Sequence, residues 1–275
     1  MRRILLYSLI SITVFSCNPV PEPEANNYVV EAYLFAGEQV REVTIKTLVP
    51  LSEPEGKSEI IEVANVVLKK EGATFTLSYN AGTKRYIYTG SDLQITPEDV
   101  LDIEIDVNGR IATANTIVPT VPVGIQISKT EMVIPKINSG ADFITGNPLE
   151  DAELTVNWSN PSGELHYAVV EFRSFLLKPI LPGDVQKVVD GILEDFAIIT
   201  VPSTDTVLTV SGALLPSYGP YMVKIYKVNQ EYADLYDSET QDSRDLNDPP
   251  SNIINARGIF SAFASDSISF EVILP

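Results

Sequence analysis

Three residue types that build chemical sites are nearly missing from this chain. Cysteine occurs once, at position 17, histidine once, at position 166, and tryptophan once, at position 158. One cysteine excludes an intrachain disulfide, so stability must come from packing. Zinc and copper centres combine several His and Cys ligands, and this chain offers one of each. Glycines are scattered, and none forms G-x-x-x-x-G-K-[ST] or G-x-G-x-x-G. A G-x-S-x-G nucleophile elbow is also missing. Basic residues are scarce, 19 against 37 acidic, giving a net charge of −18. That balance argues against nucleic acid, whose binders neutralise phosphates with basic patches, and against lying flat on anionic lipid. No apolar run reaches the roughly 20 residues needed to span a bilayer.

What is present begins with MRRILLYSLISITVFSC. Arg2 and Arg3 precede an apolar run from Ile4 to Phe15, and Ser16 is the small residue before Cys17. A positive start, a short apolar run and a small residue make a secretory signal peptide. An ordinary signal needs no cysteine after its cleavage site, whereas a lipoprotein signal does. Val14-Phe15-Ser16-Cys17 resembles a lipobox, with Phe15 bulkier than usual. The pattern implies cleavage before Cys17 and acylation of its sulfur and new amine. Two or more acyl chains anchor a protein stably. The alternative is an ordinary secreted protein with a cysteine at that place. Removing residues 1–16 would leave a net charge of −20. Asn18 to Asn27 reads NPVPEPEANN, a proline-rich tether reaching roughly 30 Å at about 3.1 Å per residue. Asn18 is not the aspartate that retains many lipoproteins at the inner membrane, so an outer-membrane address is expected, on either face.

The body reads as strands. LDIEIDV places Leu101, Ile103, Ile105 and Val107 on one face and Asp102, Glu104 and Asp106 on the other. Asn108-Gly109 supplies the positive-φ pair of a type I′ hairpin, and Ile111 to Ile117 returns. With Tyr28–Ala36, Arg41–Leu48, Ile60–Leu68, Thr74–Tyr79 and Arg85–Thr89, this predicts an N-terminal β-sandwich over residues 28–119. Pro119 and Pro122 mark the junction. In residues 120–275, AELTVNW, an Asn-Pro-Ser-Gly turn and HYAVVEFRS resemble the early strands of a fibronectin type III domain. Trp158 is then expected in the core between sheets. Pro179–Val201 reads as an insertion or edge, and Thr206–Val210, Tyr221–Val228 and Ser267–Leu274 as further strands. Tyr232, Leu235 and Tyr236 fall at helical spacing after a capping Asn229. The expected class is all-β, two β-sandwich domains of immunoglobulin/fibronectin III type with a short helix in the second.

Candidate sites are few. His166 is expected at the surface or beside the turn. DSETQDSRDLND gathers Asp237, Glu239, Asp242, Asp245, Asn247 and Asp248, a weak calcium-loop candidate or a solvated acidic loop. It lacks EF-hand order. Paired carboxylates for glycoside hydrolysis are always available in so acidic a chain, so the pattern discriminates nothing. Tyr218, Tyr221, Tyr226, Tyr232 and Tyr236 suit core packing, sugar stacking or a protein interface.

The lipobox, YVVEAYL, IIEVANVVLKKEG, the proline-marked junction after the Asn-Gly hairpin, NQEYADLYD and DPPSNIINARGIFSAFASDS together resemble one family. It is the Bacteroidota lipoprotein family of domain-of-unknown-function 4249. Asn255-Ala256-Arg257-Gly258 stands where the family pattern has paired glycines, which removes the reason to expect close backbone approach there. The resemblance implies an accessory lipoprotein of a TonB-dependent outer-membrane transporter, and it implies no site residues. The expected function is a non-enzymatic binding or accessory subunit, held to the membrane through Cys17, without cofactor or nucleic acid, its ligand unnamed. A structural or adhesion protein of the envelope is the alternative, and a carboxylate-based hydrolase a third.

Overall fold

The computed structural model describes residues 28–49, 57–137, 149, 152–181, 197–239 and 250–275. The described residues are all-β apart from one α-helix and a 3-10 turn at Gly212–Leu214. In the first half, β1 (Tyr28–Phe35) pairs antiparallel with β2 (Glu42–Thr47). β3 (Asn65–Lys70), β4 (Ala73–Asn80), β5 (Arg85–Ile87), β6 (Val100–Val107) and β7 (Arg110–Ile117) extend the sheet in the order β1-β2-β5-β4-β3-β6-β7. The period-2 pattern buries Val43 and Ile45 of β2 and Leu101, Ile103 and Ile105 of β6 in one core. Asn108 and Gly109 have φ of 54° and 84°, the hairpin expected from the sequence. Ile60, expected inside a strand, makes only an isolated bridge to Lys46, and pairing resumes at Asn65.

The second half is a sandwich of a three-stranded sheet against the end of the long sheet. β8 (Val123–Ile127), β10 (Glu153–Ser159) and β13 (Val207–Ser211) form one sheet, ordered β13-β10-β8. β11 (His166–Phe172), β12 (Ala197–Ile199), β14 (Gly219–Val228) and β15 (Arg257–Ile273) form the other, ordered β12-β11-β14-β15. Trp158 lies in the core between them, 8% exposed. At the start of β14, Tyr221 is buried, and its hydroxyl donates to the Ser217 carbonyl (2.8 Å) and accepts from the Ser217 amide (3.2 Å). This is the tyrosine corner of an immunoglobulin-type sandwich.

β15 joins the halves. Over Arg257–Phe263 it runs parallel to β1, and over Phe263–Val272 antiparallel to β14. Its end also pairs parallel with β9 (Glu131–Val133). Phe260 and Ala262 enter the first core, Phe270 and Val272 the second. The strand begins ten residues before the Ser267 expected from the sequence. Residues 259–264 are buried on both faces, so no alternation marks them. The 119/120 division falls between β7 and β8, while Ile253, Ala256, Phe260 and Ala262, far beyond it, fill the core built by residues 28–118.

Gly258 reverses one expectation. Its φ is 114°, and a Cβ there would collide with the Val30 carbonyl oxygen of β1. The close backbone approach survives on one glycine where the sequence pattern had lost a pair.

Candidate functional site

Where the halves meet, the sheet face away from the two cores is lined with rings. β1 supplies Tyr33 and Phe35, β11 Tyr167, β14 Tyr226 and β15 Phe263. Tyr167 stacks on Tyr226 at 4.8 Å and Phe35 on Phe263 at 5.0 Å. The helix α1 (Gln230–Glu239) covers this layer. Its Tyr232 meets Phe263 edge-on at 4.8 Å and Tyr33 at 6.0 Å. Such ring pairs contribute about 0.5–1.5 kcal/mol each beyond area burial. Burial first, then the neighbouring Tyr232 and Tyr226, push the Tyr167 hydroxyl well above the ordinary phenol range, so it stays neutral.

The helix is pinned by polar contacts. The Asn229 amide donates to Thr116 Oγ1 (3.0 Å) and the Ile117 carbonyl (2.8 Å), tying the start of α1 to β7. Glu231, in the first turn, accepts from Thr116 (3.1 Å) and from the buried Ser261 (3.2 Å). A carboxylate there also favours the helix dipole.

Beside the helix start lies an open cleft of about 280 Å³, lined by Ile117, Pro119, Glu164, Leu165, Lys227 and Asn229 among others. Lys227 is 7% exposed. Its ammonium donates to Thr120 Oγ1 (2.6 Å) and is ion-paired with Glu164. A buried lysine survives because both partners compensate its lost hydration. Nearby, Lys224 lies 3.5 Å from Glu38 and 5.1 Å over the Tyr226 ring. Burial would lower the Lys224 pKa, but Tyr226 and Glu38 outweigh it and raise the value.

Of the two placements expected, surface or beside the turn, His166 takes the second: it opens β11 just past the Asn160–Gly163 turn and is buried, 3% exposed. The β11 start docks it by paired backbone bonds with Ser203, and its Nδ1 lies 3.0 Å from the Glu164 carbonyl. Burial pushes its pKa down, Lys227 pushes the same way, and the Glu164 carbonyl opposes them. The Ser203 hydroxyl donates to Asp205 Oδ2 (2.9 Å), so its proton is directed to that carboxylate and not to the His166 ring. Trp158, 6.1 Å from His166, carries a buried indole N–H with no partner among the described residues.

The sequence-based candidates fall elsewhere. Cys17, Asp242, Asp245, Asn247 and Asp248 lie outside the described residues. Asp237 and Glu239 belong to the last turn of α1, not to a loop. Among the described residues no group of three or more His, Cys, Asp and Glu is placed to hold a metal ion. Tyr218, Tyr221 and Tyr226 are all buried, which makes them packing residues. The pairing of Glu164 with Lys227 had no sequence signal, because it joins a residue of the connection before β11 to one of β14, far apart in the chain.

The cleft and its aromatic neighbours fall inside a recognisable family region. The model of a Domain of unknown function (DUF4249) matches residues 15–269. The chain belongs to the DUF4249 family. The region this DUF4249 match spans runs from before Cys17 to within β15. A crystal structure of titin domains is similar at 10% identity and a TM-score of 0.22, over 73% of this chain and 56% of the titin chain. The DUF4249 chain thus spans little more than half the titin segment's length. No curated protein matches. No helix among the described residues is long and apolar enough to cross a membrane.

Proposed function

We propose that this protein is a lipid-anchored, non-enzymatic binding or accessory subunit of the outer membrane that works beside a TonB-dependent transporter. The observation that carries the reading is the placement of Cys17. It follows the apolar run and one small residue, Ser16, and after ten intervening residues comes Tyr28, the start of β1. The proline-rich composition of the segment between them suits a tether. The DUF4249 region takes in this cysteine, in keeping with an anchor that belongs to the domain.

The junction chemistry favours binding over catalysis. Lys227, Glu164, Glu231 and Asn229 are engaged with one another or with backbone and hydroxyl groups. An open cleft edged by such groups suits a small polar ligand or a partner segment.

The test is recovery of partners from detergent-solubilised membranes of the native host, with Cys17→Ser as the unlipidated control. Capture of one β-barrel transporter by wild type alone, together with loss of uptake of that transporter's substrate on deletion of this protein, is the expected result. Unchanged uptake of every substrate tested, with no barrel captured, contradicts the reading.

A further inference from the structure

Six large apolar side chains are exposed at one end of the second sandwich: Val133, Phe175, Leu176, Leu177, Leu214 and Leu274. Backbone and side-chain contacts tie them into one tip. Val133 is in register with Ile273, the residue before Leu274. The Tyr218 hydroxyl reaches the Pro135 carbonyl (3.1 Å), and the Tyr218 amide reaches the Lys178 carbonyl beside Leu177 (2.8 Å). Leu214 closes the 3-10 turn that leads to Pro216, which accepts from the Ile180 amide (3.1 Å).

The loop at the centre of this tip is held, not loose. Ile180 is buried, the Lys178 amide donates to Ser217 Oγ (2.8 Å), and the Leu176 amide donates to Ser174 Oγ (3.1 Å). On that frame Phe175 is fully exposed and Leu176 is 67% exposed. Three consecutive exposed apolar residues cost solubility unless something covers them. Arg173, 3.1 Å from Glu171, and Lys178 bracket the three, both exposed, in a chain whose net charge is −18. An aromatic and aliphatic fingertip with cations at its neck fits a bilayer interface: rings and aliphatics enter the headgroup boundary, and the cations stay at phosphate level.

From these observations we infer that the tip formed by the Phe175–Leu177 loop inserts into the interface of a lipid bilayer. The inference rests on the lipid-anchor reading for its geometry. The tether enters at Tyr28, and the tip lies beyond Phe270, about 43 Å further along β15 from Arg257 at ~3.3 Å per residue. A tether of roughly 30 Å lets the Tyr28 end of the acidic body stand off the membrane while the body tilts, so that only the tip at the far end of β15 meets the lipid.

The acylated sulfur of Cys17 leaves an introduced cysteine as the one free thiol. The lipidated protein carrying Leu176→Cys with an environment-sensitive fluorophore is reconstituted in vesicles of phosphatidylcholine and phosphatidylglycerol containing brominated lipid. A Thr209→Cys label on β13 is the control. The expected result is several-fold stronger quenching at 176 than at 209, lost when Phe175→Ser is added. Equal quenching at the two positions overturns the inference. So does a photoreactive group at 176 that links to protein rather than lipid in intact cells, which assigns the tip to a protein socket. Flotation of wild type against Cys17→Ser reads the anchor separately. An unacylated chain whose 176 label is still quenched by added vesicles keeps the tip and removes the anchor.

Discussion

Gly258 is the residue at which the fold tolerates least change. Its positive φ and its contact with the Val30 carbonyl both exclude a side chain. Gly258→Ala is predicted to cost at least about 2 kcal/mol, because the collision is with backbone and not with a side chain that can turn away. A shift in the denaturant midpoint at constant slope measures it. Tyr221→Phe removes the corner hydroxyl and strands the Ser217 groups it serves, for a loss of about 1–2 kcal/mol. Two residues give stability an acid dependence. Burial would raise the Asp99 carboxyl, but Lys70 at 2.6 Å and the Thr96 amide and hydroxyl hold it below its ordinary 3.8. His166 is held below its ordinary 6.5. In both cases the unfolded chain binds the proton more readily, so stability falls as pH drops. His166 acts first, below pH 6.5, and Asp99 below pH 3.8. The unfolding midpoint should therefore decline in two stages on acidification. His166→Gln should flatten the upper stage, and a midpoint that held steady from pH 7 to 5 would contradict this assignment.

Among the elements, the strands with polar and apolar faces were readable because one side of each meets water. β6 and β7 are the clearest case, with Asp106 Oδ1 also accepting from the Gly109 amide at 2.7 Å to fix the turn. The first half of β15 was not readable. One of its faces enters the first core, the other lies under α1, and the buried Ser261 looks like a loop residue until its bond to Glu231 is known. β8 and β9 were missed for a different reason: they are short and largely exposed. The helix was visible in its tyrosine spacing, though Asn229 is used to tie α1 to β7. Tyr232 is the main apolar anchor of that helix. Tyr232→Ala is predicted to cost about 2–3 kcal/mol and to raise hydrogen exchange in α1 ahead of the sheets. Exchange that rose equally everywhere would contradict a locally docked helix.

At the scale of the whole molecule, the first and last strands of the body lie side by side, so neither core closes until nearly the whole chain is made. The junction site was unreadable for the same reason. Lys227, Glu164, Thr120 and Asn229 are brought together by the meeting of two sandwiches, and each alone looks like a surface residue. One cooperative unfolding transition is predicted, and a fragment of residues 28–119 should not fold, since it lacks Ile253, Ala256, Phe260 and Ala262. A fragment with sharp, cooperative melting would contradict the shared-strand account. The functional reading depends on the anchor, and the intact mass of the protein purified from native membranes tests it most directly. The account predicts a chain that begins at Cys17 and carries a diacylglycerol on its sulfur and an acyl group on its amine. A mature chain of plain polypeptide mass, released without detergent, would contradict it.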